Sequence, residues 1–456
     1  MTEIRSMMEN HRMFFSTGQT KKPAFRIKQL KILKHAIDEN ESRILDALYA
    51  DLRKSPYEAY LTEVGIVKDE IRHMIKKVGK WARPQKVGTP IYHFPASSHI
   101  YPEPYGTALI IAPWNYPFQL AVAPLAAALA AGNCAVVKPS EFSEHTSRVL
   151  AELAETYFDP SYVSVITGDV EVSTALLAQK FDYIFFTGSP AVGKIVMRAA
   201  AEHLTPVTLE LGGKSPCIVD KDANIELAAK RIVSGKYINA GQTCIAPDYL
   251  MVHQSVKDLL VDRIIHYIER FYGTSPVESP DYPKIINPKH FERLRGLTKD
   301  ATIMCGGEGD SAGQILAPTL ISDVDWDHPS MQEEIFGPVL PVLEYASLSE
   351  AAARINERPR PLALYMFSND QKNIDAILES VSFGGGCIND TLIHFATPNL
   401  PFGGVGNSGI GAYHGKFGFD AFSHQKSVMR NTVKFDFPFR YPTFFRHLKL
   451  LKTVLR

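Results

Sequence analysis

The sequence predicts an α/β protein of two units, each built on a largely parallel sheet, with a β arm beside them. Three observations carry that prediction. From Thr107, short apolar strands ("TALIIAP", "CAVVKPS", "VSVITG", "YIFFTGS", "PVTLELGG") alternate with helical segments. Such alternation is the pattern of parallel sheets with right-handed crossovers. A second alternation follows, with "SPCIVD", "YLMVHQ" and "PVLPVLEY" as strands. Between the amino-terminal region and the first strand lies "VGTPIYHFPASSHIYPEPYG", Val87 to Gly106, rich in Pro and Ser with short β-prone pieces, which suits an arm or hairpin.

The elements follow in order. Residues 1 to about 83 read as helices, because "KPAFRIKQLKILKHAIDENESRILDALYADL" spaces apolar residues at helical intervals among charges. The longest apolar run, "FQLAVAPLAAALAA" from Phe118 to Ala131, falls short of the roughly 20 residues that a bilayer span needs. With Pro124 inside and Gly132 after it, the run reads as a buried helix. "HTSRVLAELAETYF", "VSTALLAQ" and "AVGKIVMRAAAEHL" are the helices between the next strands. "NIELAAKRIVSGKYINAG" and "VKDLLVDRIIHYIERFY" are helices of the second unit. The expected boundaries are 1–85 with 105–210 for the first unit and 211–421 for the second. The arm is expected at 86–104 and 422–436, and a tail at 437–456. In "TFFRHLKLLKTVLR", Phe444, Leu448, Leu451 and Leu455 fall on one helical stripe, with Arg446, Lys449, Lys452 and Arg456 on another side. That is an amphipathic basic helix.

Composition narrows the function classes. The chain has 456 residues, 45% hydrophobic and 21% charged, enough for two or three globular domains. Lys plus Arg is 49 and Asp plus Glu is 49, so no net charge steers it toward nucleic acid. Five cysteines at irregular spacing do not read as a disulfide framework, and no CxxC pair suggests zinc. The polar start "MTEIRSMMENHR" does not read as a secretory signal. A reducing cytoplasm, with no metal site, is the expectation.

Several stretches invite chemistry. In "YINAGQTCIAPD", Cys244 follows Gly-Gln-Thr rather than the apolar neighbours of a structural cysteine. In "YIFFTGSPAVGKIVM", Gly188, Ser189 and Gly193 stand where a strand turns into a helix; they either cradle a phosphate or make a tight turn, and their spacing is not GxGxxG. Lys138 and Glu141 of "VVKPSE" follow a strand's carboxyl end, where they hold a ribose or stay solvated. Asn115 of "IAPWNYPF" is a turn residue or an amide aimed at an oxyanion. Glu210 of "TLELGGKSP" sits between apolar neighbours, as a base with a raised pKa or half of a buried salt bridge. In "MQEEIFGPVL", Glu334 and Phe336 either grip a sugar and stack on a ring or form a turn. "PFGGVGNSGIGAYHG" is flexible or lets backbone approach a ligand.

Taken together and in order, "PWNYP", "KPSE", "FTGSPAVGK", "LELGGKSP", "GQTC", "EEIFGPV" and "PFGGVGNSG" resemble the aldehyde dehydrogenase superfamily, over residues from about 20 to about 430. The ending "PFGGVGNSGIGAYHGKFGFDAFSHQKSV" is similar to the class 3 branch, which includes fatty and aromatic aldehyde dehydrogenases. The resemblance implies a Rossmann-like nucleotide-binding domain that lacks GxGxxG, an α/β catalytic domain and a β arm for oligomerisation, in a homodimer. It implies Cys244 as nucleophile, Glu210 as general base, and Asn115 with the Cys244 backbone N–H as oxyanion hole. Lys138 and Glu141 match the adenosine-ribose contacts. Gly188, Ser189 and Gly193 match the nucleotide loop, and Glu334 and Phe336 the nicotinamide-ribose side. The implied reaction forms a thiohemiacetal on Cys244, then a thioester hydrolysed by glutamate-activated water. Medium- or long-chain or aromatic aldehydes are the implied substrates. NAD is the expected cofactor, since a 2′-phosphate would meet the Glu141 carboxylate, with NADP tolerance left open. The tail is expected to dock over the substrate entrance, with weak contact to anionic membranes as its alternative. Transfer of the acyl group to coenzyme A or phosphate, a non-catalytic scaffold and a cysteine hydrolase are the competing readings.

Overall fold

The computed structural model describes residues 2–437, 441–442, 448–449 and 452. Most of the expected tail helix, including Phe444, Arg446, Leu451, Leu455 and Arg456, lies outside the described residues.

Two parallel-rich sheets form the body. In the first, the strands run in the spatial order Gly409–Ile410, Val207–Leu211, Tyr183–Gly188, Thr107–Ile111, Cys134–Lys138, Val163–Val165. All neighbours are parallel except Gly409–Ile410, which pairs antiparallel with Gly409 opposite Glu210. Cys134–Lys138 is buried along its whole length, as expected for a strand covered by helices on both faces. The second sheet has the order Thr302–Cys305, Thr319–Ser322, Val339–Tyr345, Tyr249–His253, Pro216–Val219, Ala363–Phe367, Gly385–Ile388, parallel apart from its first pair. The arm is a third, antiparallel sheet of Gln85–Val87, Ser97–Pro104 and Ser423–Arg430.

The apolar run forms the helix Gln119–Ala131, with every side chain buried. Gly132 ends it in the left-handed region at φ 94°, where a Cβ would lie 2.6 Å from Arg26 Nε. The buried Arg26 guanidinium donates to the carbonyls of Thr20 at 2.9 Å and Ala130 at 3.3 Å. A cation thus sits at the helix's negative end.

Two features depart from the sequence-based expectation. The glycine-rich stretch assigned to the second unit returns to the first: Gly409–Ile410 extends its sheet, and Gly415–Ala421 packs on the buried helix. The second sheet also contains four strands that its sequence does not announce. Thr302–Cys305 is an exposed edge, Gly385–Ile388 is half glycine, and short runs such as Ala363–Phe367 carry no periodicity to separate strand from buried helix.

Candidate active site

The carboxyl ends of the first sheet's parallel strands gather most of the expected residues. Glu210 lies in Val207–Leu211, Gly188 ends Tyr183–Gly188, Lys138 ends Cys134–Lys138, and Asn115 follows Thr107–Ile111. Ligands of open α/β sheets collect at these ends.

Cys244 arrives from the other unit on the loop after helix Ile225–Tyr237. Asn239, Ala240 and Gly241 all have positive φ, at 53°, 50° and 71°. Two of these are non-glycine, a strained turn that persists only where its surroundings hold it. Here the holding is visible. The N–H of Asn239 donates to Glu58 at 2.7 Å, and Gln242 Nε2 donates to the carbonyls of Asn239 and Lys284, each at 3.0 Å. Gly241 is required for a second reason: a Cβ there would lie 2.2 Å from the Gly337 carbonyl oxygen.

Cys244 and Glu210 line one cavity of about 390 Å³, walled mainly by apolar side chains including Leu120, Ile245, Phe271 and Phe402. Glu210 is 3% exposed, and neither carboxylate oxygen has a protein partner. The alternative of a buried salt bridge is therefore not what the fold builds. Burial drives its pKa well above the ordinary carboxylate range. The Cys244 thiol is also pushed up, first by burial, then by Glu334 and Glu210.

Asn115 is buried and is not among the residues lining this cavity, and its Nδ2 donates to the Gln242 carbonyl at 3.0 Å. That bond uses one of its two N–H groups. Tyr116, next in sequence, bonds Thr243 Oγ1 at 2.6 Å, so Thr243 is tied on the side preceding Cys244.

Glu334 stands against the motif that carries Glu210. A Cβ on Gly212 would lie 1.9 Å from Glu334 Oε2, so a larger residue there would displace the carboxylate from this position. The Gly213 N–H bonds this carboxylate, while Oε1 is buried without a partner. Burial, then Asp248, pushes the pKa up to about 8. The segment is clamped from both sides. Lys214 pairs with Asp248 and donates to the carbonyls of Ser330 at 2.7 Å and Glu333 at 3.0 Å; Asp248 accepts from the Ile335 N–H at 2.8 Å. Phe336 follows at φ 50°, its ring edge-on to Trp114 at 5.3 Å.

On the far side, buried Lys138 pairs with Glu141 at 3.0 Å. Ser189 caps helix Pro190–Ala201, accepting from the Val192 N–H at 3.4 Å. A Cβ on Gly193 would lie 2.7 Å from Leu211, and one on Gly188 2.5 Å from Phe186. These glycines therefore serve close packing, whichever ligand the helix end meets.

The sequence missed the support beneath these groups. Lys54, Glu58 and Glu63 fall in "ADLRKSPYEAYLTEVG", a charged helical stretch with nothing to set them apart from surface residues. Yet Lys54 and Glu63 are fully buried. Among the described residues, no group of three or more His, Cys, Asp or Glu side chains is arranged to hold a metal ion. No helix among them is long and apolar enough to cross a membrane.

The comparisons agree with this geometry. The profile of the aldehyde dehydrogenase family matches residues 2–428. The chain is 49% identical to the 4,4'-diaponeurosporen-aldehyde dehydrogenase of Staphylococcus aureus, with both chains covered in full. It is 45% identical to a protein of Canis lupus familiaris called "Aldehyde dehydrogenase, dimeric NADP-preferring", over 94% of this chain and 95% of that one. Its fold superposes on a solved substrate-bound state of Staphylococcus aureus AldH with a TM-score of 0.97, at 49% identity and 99% coverage of each. With its cysteine and unpaired glutamate facing one apolar cavity, the chain belongs to the aldehyde dehydrogenase family, an oxidoreductase similar to the class 3 branch.

Proposed function

We propose that this enzyme oxidises medium- or long-chain or aromatic aldehydes to carboxylic acids with NAD, as a cytoplasmic homodimer, through an acyl thioester on Cys244. The observation that carries this is the shared cavity: a cysteine and a buried carboxylate with no protein partner, in apolar walls. Such walls suit a hydrocarbon chain. The staphylococcal relative, named as a 4,4'-diaponeurosporen-aldehyde dehydrogenase, supports an aldehyde substrate.

The residues divide the work. Cys244 gives up its thiol proton, which leaves the cavity for solvent, as Sγ attacks the aldehyde carbon and a C–S bond forms. The second N–H of Asn115 and the backbone N–H of Cys244 are the donors for the resulting alkoxide. The dinucleotide, when bound, supplies the hydride acceptor. Glu210 then takes a proton from a water that attacks the thioester carbonyl. The C–S bond breaks, the acid leaves, and the thiolate takes the proton that Glu210 drew from water, which restores the thiol. The unpaired Glu210 favours water over coenzyme A as acyl acceptor, because an activated water needs a base.

The chain fits the dinucleotide. Glu334 offers a buried, unpartnered oxygen beside Gly212, suited to a ribose hydroxyl. Lys138 and Glu141 would hold the adenosine ribose. The capped helix start at Ser189 would face the phosphates. Phe336 would bound the nicotinamide side. The arm's outer strands present edges that a second copy would cover.

Two variants test the mechanism. Cys244→Ala is expected to abolish aldehyde-dependent NAD reduction while leaving cofactor binding intact. If acylation stays fast without Glu210, Glu210→Gln is expected to release about one equivalent of NADH in a burst, then turn over roughly 10²- to 10⁴-fold more slowly. Intact mass should show the acyl adduct on Cys244. Normal turnover by Glu210→Gln, or NAD reduction by Cys244→Ala, would overturn this mechanism.

A further inference from the structure

We propose that Lys54 is a positioning residue for the reaction: with Glu63, it sets the orientation of Asn115 toward Cys244. The inference rests on the proposal that Asn115 donates to the alkoxide, and assigns the device that aims it.

Lys54 and Glu63 form an ion pair at 2.6 Å, both side chains 0% exposed. Lys54 Nζ also donates to the Asn115 carbonyl at 2.9 Å and lies 3.9 Å from the centroid of the Tyr116 ring. The other Glu63 oxygen accepts the N–H groups of Phe118 at 2.9 Å and Gln119 at 3.1 Å, at the start of helix Gln119–Ala131. A carboxylate is favoured at a helix's positive end. The pair therefore grips Asn115 from both sides. Lys54 holds its carbonyl, and Glu63 holds the N–H groups three and four residues on.

The grip passes to the nucleophile's loop. Asn239 Nδ2 donates to the Asn115 carbonyl at 2.8 Å and to the Gln242 carbonyl at 3.1 Å. The Asn115 side chain donates to that same Gln242 carbonyl. Lys54 thus shares one acceptor with Asn239, which joins the Asn115 loop to the turn that presents Cys244. Stability alone does not call for this charge pair, since apolar residues often replace buried ion pairs at no loss. Fixing one geometry between two domains does explain it.

The test is a double-mutant cycle in the full chain. Asn115→Ala alone should lower kcat about 10²- to 10³-fold. If its kcat is near wild type, the role given to Asn115 is wrong and Lys54 has nothing to aim. Lys54→Met strands a buried carboxylate, so Lys54→Met/Glu63→Gln, which removes both charges, guards against misfolding. Each variant should lower kcat about 10- to 100-fold, as misplacement of a catalytic group by about 1 Å does. KM for NAD should not move. On the Asn115→Ala background, neither change should cause further loss. The same loss on both backgrounds, or no loss from the folded double variant on the wild-type background, would overturn the positioning role.

Discussion

Glu334→Gln should make the protein more stable and less active, and the gain should grow with pH. Glu334 is buried beside Asp248, and its pKa is raised from the ordinary 4.5 to about 8. Below pH 4.5, the carboxyl is protonated in both folded and unfolded chains and costs nothing. Between pH 4.5 and about 8, the unfolded chain has released a proton that the folded chain keeps, so stability falls as pH rises. Above about 8 the folded carboxyl also ionises, and the full cost is present. At about 1.36 kcal/mol for each pH unit between those values, that cost is at most roughly 5 kcal/mol. Glutamine carries no such titration. Any penalty for its amide donors is independent of pH and moves only the baseline. A kilocalorie per mole shifts the melting temperature of a 150–250-residue protein by about 2–4 °C, and that of a chain this long by roughly half as much. The difference in Tm between variant and wild type, without cofactor, should therefore widen by several degrees from pH 5 to pH 8.5. Differential scanning fluorimetry across that range reads it directly. A difference that stays flat, or that narrows as pH rises, would refute the assignment of this cost to Glu334. The matching loss in kcat/KM for NAD should show what the unpartnered oxygen is kept for.

Wild-type kcat/KM should favour NAD over NADP, and Glu141→Gln should raise the NADP-to-NAD ratio about tenfold, because it removes a carboxylate from the 2′-phosphate's neighbourhood and leaves Lys138 unpaired there. A wild-type enzyme that prefers NADP, as the name of the canine relative says of that protein, would show Glu141 to be misplaced. Sedimentation velocity at micromolar concentration should give a homodimer, and a stable monomer would remove the role assigned to the arm.

What the sequence discloses follows from how local each signal is. The first sheet is legible because its strands are short apolar runs between amphipathic helices, and the buried helix because an Ala-rich run meets Gly132. Cys244, Glu210 and Glu334 stand out because each breaks its local context. A cysteine sits among small polar residues, and carboxylates sit beside apolar ones. Lys54 and Glu63 do the reverse. They look like ordinary surface charges of a helical stretch, and only tertiary packing, which brings Asn115 and Phe118 onto them, reveals a buried pair. The pairing of Gly409–Ile410 with the first sheet is illegible for a related reason. The two residues pair across some two hundred positions with Leu209 and Glu210, and nothing local encodes that.

Cys244 does not titrate independently of its surroundings, because Glu334 and Glu210 both act on its thiol. The two carboxylates raise the thiol only when they are ionised, yet burial holds both toward the neutral form. Ionising either carboxylate makes the thiol's proton harder to lose, so an apparent thiol pKa depends on both. This helps the first chemical step. If an ionised Glu210 takes the thiol's proton as Sγ attacks, the negative charge beside the new thiolate disappears as the thiolate forms. In the proposed mechanism the second step has the opposite need, because Glu210 must be ionised again to draw a proton from water. Between the two, one proton must leave the cavity for solvent. In the proposed mechanism both acylation and deacylation should therefore speed up as pH rises and these groups ionise, and an apparent pKa read from either limb should report the carboxylates as well as Cys244.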